Sequence, residues 1–196
     1  MVTTTRRPAP VIQQSDQLSL QPNSLEEWLE NPVEGTEWVN GRLIEKNSAT
    51  EDGMTLAHSK IQRRLSTVWA IYQMTQQLGG EVYTEVPCQT REQGRKPDVA
   101  YLTQDLLEQY GGLKVLPQSF PLCAEVVSPT DLAEEVYAKA DEYLASGGEE
   151  VWIVFPNSQR VVVVTADRDQ IFKSGEIAKT QIVLPGFSVA VDELLS

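Results

Sequence analysis

Histidine occurs once, at His58, and cysteine twice, at Cys88 and Cys123, in the 196 residues. A zinc centre needs more soft ligands than that, so none is expected. Both cysteines lie in strand-like segments and read as buried free thiols in a reducing cytoplasm. No apolar run approaches the roughly 18 residues of a membrane span, so no membrane partner is expected. The N-terminal stretch MVTTTRRPAPVIQQSDQLSLQPN has two arginines but no continuous apolar segment, which does not suit a signal peptide. Residues 1–22 therefore read as a flexible tail, and 23–196 as one domain long enough to bury its own core. Basic residues are also scarce, 16 Lys and Arg against 28 Asp and Glu, for a net charge of -12. That balance argues against a general nucleic-acid binder. The deficit is uneven. Between His58 and Lys96 lie Lys60, Arg63, Arg64, Arg91, Arg95 and Lys96 against Glu81, Glu85 and Glu92, which is either a local basic face or a solvated surface.

Helix and strand signals alternate along the chain. Ser24-Leu25-Glu26-Glu27 fits a capping box ahead of a short helix, SLEEWLEN. Asn40-Gly41, flanked by Trp38-Val39 and Leu43-Ile44, marks a hairpin because both turn positions tolerate positive φ. After the loop NSATEDGM, apolar residues at helical spacing predict a helix from about Leu56 to Leu78, ended by Gly79-Gly80. EVYTEVP, KPDVAYL, LCAEVV, EVWIVFP, RVVVVTA and TQIVLPG read as strands. One helix, roughly Asp131 to Ser146, separates LCAEVV from EVWIVFP and suggests a crossover. The class is α/β, or α+β with a mixed sheet flanked by helices, with an N-terminal hairpin and helix.

Three residues break these patterns. Glu125 lies inside LCAEVV, a run that suits a strand buried on both faces, and alternation puts it on one face with Cys123 and Val127. A lone ionised carboxylate there is costly without a cation, a donor or a proton. Asp98 opens the strand Val99–Leu102 after Lys96-Pro97; it reads as a turn former or as a second functional carboxylate. Lys139 falls beside Leu132 and Tyr143 at the edge of its helix's apolar stripe. It reads either as an i,i+4 partner of Glu135 or as a side chain reaching toward the sheet. Lys139 stands about 12 Å along the helix from Asp131, and Glu125 about 10 Å back along the strand from Ser128. A helix that folds back over the sheet thus brings the two level.

Two carboxylates and a lysine make chemical sense together. Mg²⁺ or Mn²⁺ takes one or two protein carboxylates plus phosphate oxygens, polarises the phosphoryl group and acidifies a bound water. A nearby ammonium positions that water and stabilises the developing charge.

Pro97-Asp98 followed by Glu125 resembles the PD-(D/E)xK restriction-endonuclease-like core. The ordered pieces EWVNGRLIEK, HSKIQRRL, GRKPDVAYL, CAEVVSPTD, AKADEYLASG with EVWIVFP, and LPGFSVAVDELL resemble more closely the Uma2 family (DUF820-like) of endonucleases, abundant in cyanobacteria, over about residues 24–196. The general motif has Lys two positions after the Glu, where this chain has Val127. Uma2-like sequences supply the lysine from the following helix, where Lys139 lies. The resemblance implies a restriction-endonuclease-like core, DNA as substrate, and a site of Asp98, Glu125 and Lys139. It also implies Glu45 as a further acidic ligand, which on sequence alone is a solvated hairpin charge. Ser128 reads as a helix cap or a substrate contact, His58 as a helix start or a substrate contact, and Gln89 as a polar group ahead of the Asp98 strand. Arg63, Arg64, Arg95 and Lys96 are candidate substrate contacts, and cutting both strands would favour a homodimer.

Two rival readings remain. One is a catalytically inert nuclease-fold module that binds nucleic acid or protein, motivated by the net charge and by Val127. The other is a structural ion pair in which Glu125 meets Lys139 or Lys96 without metal.

Overall fold

Asn40 and Gly41 carry φ of 51° and 73°, and this left-handed pair turns the chain through the predicted hairpin. The computed structural model describes residues 21–46 and 56–196; the loop NSATEDGM and most of the expected tail lie outside them. Ahead of the hairpin, α1 (Leu25–Glu30) is capped by Ser24, whose hydroxyl accepts the Glu27 N–H at 3.2 Å. The Glu27 carboxylate reaches back past the cap to the Asn23 N–H, at 2.8 Å. The hairpin strands β1 (Thr36–Val39) and β2 (Arg42–Glu45) are followed by α2 (Leu56–Thr75), β3 (Glu81–Tyr83), β4 (Cys88–Gln89) and β5 (Gly94–Arg95). β2, β1, β5 and β4, in that order, form a four-stranded sheet. Trp28 packs over it fully buried, its indole donating to Thr36 Oγ1 at 3.1 Å. Gly94 lies directly beneath: a Cβ there would sit 2.3 Å from the Trp28 ring.

The main sheet takes β3 at one edge and continues with β6 (Val99–Leu102). After α3 (Gln104–Tyr110) come β7 (Leu122–Val126), α4 (Ala133–Leu144), β8 (Glu150–Phe155), β9 (Arg160–Thr165) and β10 (Asp169–Lys173). β11 (Ile177–Lys179), β12 (Ser188–Ala190) and α5 (Val191–Leu195) close the chain. The order is β10-β9-β8-β7-β6-β3, and the β7–β8 pair joined by α4 is parallel while its neighbours are antiparallel. The mixed α/β architecture with helix-flanked sheet is thus the one expected.

Alternation along the central strands builds two cores. Leu122, Ala124, Val126, Trp152 and Val154 pack with Ile61, Leu65 and Trp69 of α2. Cys123, Val151 and Ile153 pack with Val136, Ala140 and Tyr143 of α4. Each fully buried side chain of this size contributes about 1.5–3 kcal/mol, so a central sheet covered on both faces is held firmly. Cys88 and Cys123 are buried free thiols. Among the described residues, no helix is long and apolar enough to cross a membrane.

Some elements differ from expectation for identifiable reasons. TQIVLPG is not a strand. The buried Glu150 carboxylate accepts the N–H groups of Gln181, Ile182 and Val183 at 2.8, 2.8 and 3.3 Å, and Leu184 and Gly186 take φ of 51° and 87°. Donors that would form a ladder are spent on a side chain. EVYTEVP keeps three strand residues because Glu85 turns left-handed at φ 56°. The helix predicted from Leu56 to Leu78 ends at Thr75, and α4 is trimmed at both ends. Ahead of α4 the Ser128 N–H donates to Asp131 Oδ2 at 2.7 Å, and the N-cap position is Leu132, so Ser128 does not cap the helix.

Candidate active site

Asp98 sits just before β6, 1% exposed, where the β6–β7 register runs Val99↔Ala124 and Ala100↔Cys123. One further step brings it opposite Glu125. Its Oδ2 accepts the Val126 N–H at 2.6 Å and lies 3.4 Å from His58 Nε2. Its Oδ1 pairs with Lys46 Nζ at 2.8 Å.

Glu125 projects toward α4 and is 8% exposed. Its Oε1 accepts from Tyr143 Oη at 2.7 Å and lies 3.0 Å from Lys139 Nζ. Of the two readings of Lys139, the structure has the inward one. The same ammonium donates to Glu37 Oε1 at 2.9 Å and stands 5.9 Å from the Tyr143 ring centroid. Glu37, on β1, is buried and also accepts the Lys96 N–H at 2.9 Å and Arg95 Nη1 at 3.1 Å. Arg95 in turn grips Glu142 of α4 at 2.6 Å. Glu37 and Arg95 therefore couple the small sheet to the crossover helix.

Electrostatics follow from this packing. Burial opposes ionisation of Asp98, but Lys46 and the His58 hydrogen bond outweigh it and hold its carboxyl well below the usual range. Burial likewise opposes Glu37, and Lys139, Lys46 and Arg95 bring it down to about 2. For Glu125 burial prevails over Lys139 and Lys46, so its carboxyl is pushed up. Lys139 stays above the ordinary lysine value because Glu125 and Glu37 outweigh its burial. His58 is raised too, burial being outweighed by its hydrogen bond to Asp98 and that residue's charge.

These groups line a cleft of about 590 Å³. Its walls carry Glu37, Glu45, Asp98, Glu125, Asp131, Glu135 and Glu142 against Lys46, Arg95 and Lys139, an acid excess that favours cations. Of the sequence candidates, Asp98, Glu125, Lys139, Glu45, His58, Ser128 and Arg95 meet here. Glu45 is exposed at the rim, and the Ser128 hydroxyl lies 3.5 Å from His58 Nδ1. Four candidates lie elsewhere. Arg63 is exposed on α2, and Arg64 binds the C-terminal Glu193 and Ser196 carbonyls. Lys96 Nζ donates to Val33 O at 2.7 Å and lies 5.5 Å from the Trp28 ring centroid. Gln89 pairs with Gly94 in the small sheet.

Glu37, Lys46 and Glu85 escape a reading of the sequence. EWVNGRLIEK contains both Glu37 and Glu45, but nothing local tells which of them folds inward. Among the described residues, no three His, Cys, Asp or Glu side chains converge as a metal cage. What fits is a hard cation that needs two carboxylates and completes its shell with water and phosphate. Asp98 beside Glu125 offers such a pair of carboxylates, with Asp98 Oδ1 facing the Lys46 ammonium at 2.8 Å.

The family model Uma2, described as "Putative restriction endonuclease", matches residues 22–192. A crystal structure described as "a putative nuclease belonging to DUF820 from Anabaena variabilis ATCC 29413" superposes with a TM-score of 0.75. Identity is 18%, with 89% of this chain and 98% of that chain covered, so the two share a fold. No curated protein matches.

Proposed function

The chain belongs to the Uma2 family, and from that premise we propose that it is a divalent-metal-dependent endonuclease hydrolysing DNA phosphodiester bonds. The observation that carries this reading is the placement of Asp98, just before β6, opposite Glu125 of β7, with Lys139 Nζ 3.0 Å from Glu125. Asp98 and Glu125 would hold Mg²⁺ or Mn²⁺, which when bound polarises the phosphoryl oxygen and makes water acidic enough to attack. Glu45, exposed at the rim, would bind outer water or tune the charge.

Lys139 keeps its proton, since two carboxylates hold it charged. Its role is then electrostatic: to orient the nucleophilic water and stabilise negative charge on the phosphate, rather than to act as the base. Glu37 fixes that ammonium from the other side, and Tyr143 fixes the Glu125 carboxylate. His58 supports Asp98, with Ser128 beside it. The acid excess of the cleft opposes phosphate until cations bind, so DNA is expected to enter with the metal rather than before it. Cutting both strands would call for a two-fold pair of copies.

A second reading is a module that keeps this fold without turnover. It is favoured by the pairing of Lys46 with Asp98 and of Lys139 with Glu125, which balances both carboxylates without a metal. Manganese calorimetry and plasmid cleavage on the wild type, Asp98→Ala, Glu125→Ala and Lys139→Ala decide between them. The nuclease reading expects Mn²⁺ binding lost in both carboxylate variants and cleavage lost in all three. Absence of cleavage of any nucleic acid in Mn²⁺ would leave the inert module.

A further inference from the structure

Lys46 follows the last residue of β2, its backbone N–H donating to Gly35 O at 2.7 Å. The backbone is therefore anchored, and only the side chain is free to choose partners. That side chain is 10% exposed, and its ammonium contacts Asp98 Oδ1 at 2.8 Å and both Glu85 oxygens at 3.1 and 3.0 Å. It also donates to Lys96 O.

The two carboxylates hold it differently. Both oxygens of Glu85 take it by hydrogen bonds, whereas a single oxygen of Asp98 takes it, at the shorter distance. Glu85 presents its carboxylate from a left-handed backbone, φ 56°, unfavourable for a residue with a side chain. Gln62 steadies that carboxylate, donating to Glu85 Oε1 at 3.1 Å and to Asp98 O at 2.9 Å. An unfavourable conformation braced by a neighbour is how a fold keeps a group where local preference would not.

We infer that Lys46 is a resident cation on Asp98 Oδ1 that a divalent ion must displace, with Glu85 as the anchor to which the lysine retreats. This rests on the reading of Asp98 as a metal ligand. A divalent ion on Asp98 Oδ1 and an ammonium 2.8 Å from the same oxygen repel strongly where water is excluded, so binding of the ion favours withdrawal of the lysine. Lys46 therefore sets a threshold of divalent-ion concentration below which the site stays closed, and it prevents Asp98 from lying buried without a counter-charge in the metal-free protein.

The test is Mn²⁺ calorimetry on the full chain for the wild type and for Lys46→Met, Lys96→Met and Asp98→Asn, each checked for folding by circular dichroism. Lys96 carries the same charge nearby but binds Val33 O, so its variant reports the general effect of removing a cation. Lys46→Met is expected to bind Mn²⁺ at least about tenfold more tightly, and Lys96→Met by less than about threefold. Detectable binding in Lys46→Met alone would support the inference equally. Equal gains in the two lysine variants, or none in Lys46→Met, would overturn it while loss of binding in Asp98→Asn left the metal reading standing. No binding in any folded variant would remove both. Should Lys46→Met fail to fold, Lys46→Gln takes its place, with the same outcomes read from it.

Discussion

Glu37 and Lys139, 102 residues apart in sequence, meet at 2.9 Å. Their contact joins the four-stranded sheet to the crossover helix, and through Lys139 to Glu125. The carboxylate of Glu37 serves two cations and one backbone N–H.

Replacing Glu37 by Ala leaves Arg95 and Lys139 each short of a partner in a buried setting. Loss of one member of such a network costs about 3–5 kcal/mol. Urea melts of Glu37→Ala are expected to show a loss in this range, and a loss below about 1 kcal/mol would mean that the network is screened like a surface pair.

Acid should weaken the fold through Glu37 and Asp98. Each has a folded-state value below its ordinary one, so each contributes stability that is complete above the unfolded value and lost as pH falls. For Glu37 the window runs from 4.5 down to about 2, and full loss amounts to about 3 kcal/mol. Urea melts across that window should show the decline in the wild type and a shallower one in Glu37→Gln.

Asp98→Asn and Glu125→Gln are expected to shift metal-free stability in opposite directions. Asp98→Asn strips the counter-charge from Lys46 and His58 and should destabilise by about 3 kcal/mol. Glu125 is raised because burial outweighs its cations, so its ionised form opposes folding near neutral pH. Gln at 125 can still accept from Tyr143, and Lys139 keeps Glu37, so the melting temperature should stay level or rise. A steep fall for Glu125→Gln would identify it as a purely structural ion-pair partner.

The Glu150 cradle is testable apart from the chemistry. Three backbone N–H groups and the Trp152 indole, at 2.8 Å, converge on this fully buried carboxylate. Glu150→Ala should cost at least about 3 kcal/mol, since even one or two hydrogen bonds to a charged group contribute that much and burying orphaned donors adds to the loss. Hydrogen exchange should show the Gln181, Ile182 and Val183 amides losing protection.

Much of this fold is legible in the chain because its central strands are β-branched runs, such as RVVVVTA, whose burial on both faces leaves continuous apolar stretches. TQIVLPG looks the same but is held by a carboxylate 31 residues earlier, a long-range effect that no local pattern reports. The two-residue strands β4 and β5 and the exposed, alternating β10 carry too little apolar signal to be read. At the site, Glu125 and Lys139 could be brought level by counting rise along strand and helix. Glu37 and Lys46 could not, because their burial depends on how a separate hairpin docks. Arg95 looks like a cation available to a ligand; the structure shows it committed to Glu37 and Glu142.

The helix that makes β7 and β8 parallel also dictates an angular phase. Lys139 points into the cleft only because a fixed number of residues separates it from the start of α4. One residue inserted ahead of it would rotate it by about 100° toward solvent, although the connection between the two strands could still close. Inserting four would restore its direction within about 40° while moving it about 6 Å along the axis, past Glu125. In this segment, length variation rather than substitution is the change that would separate an intact architecture from a working cleft.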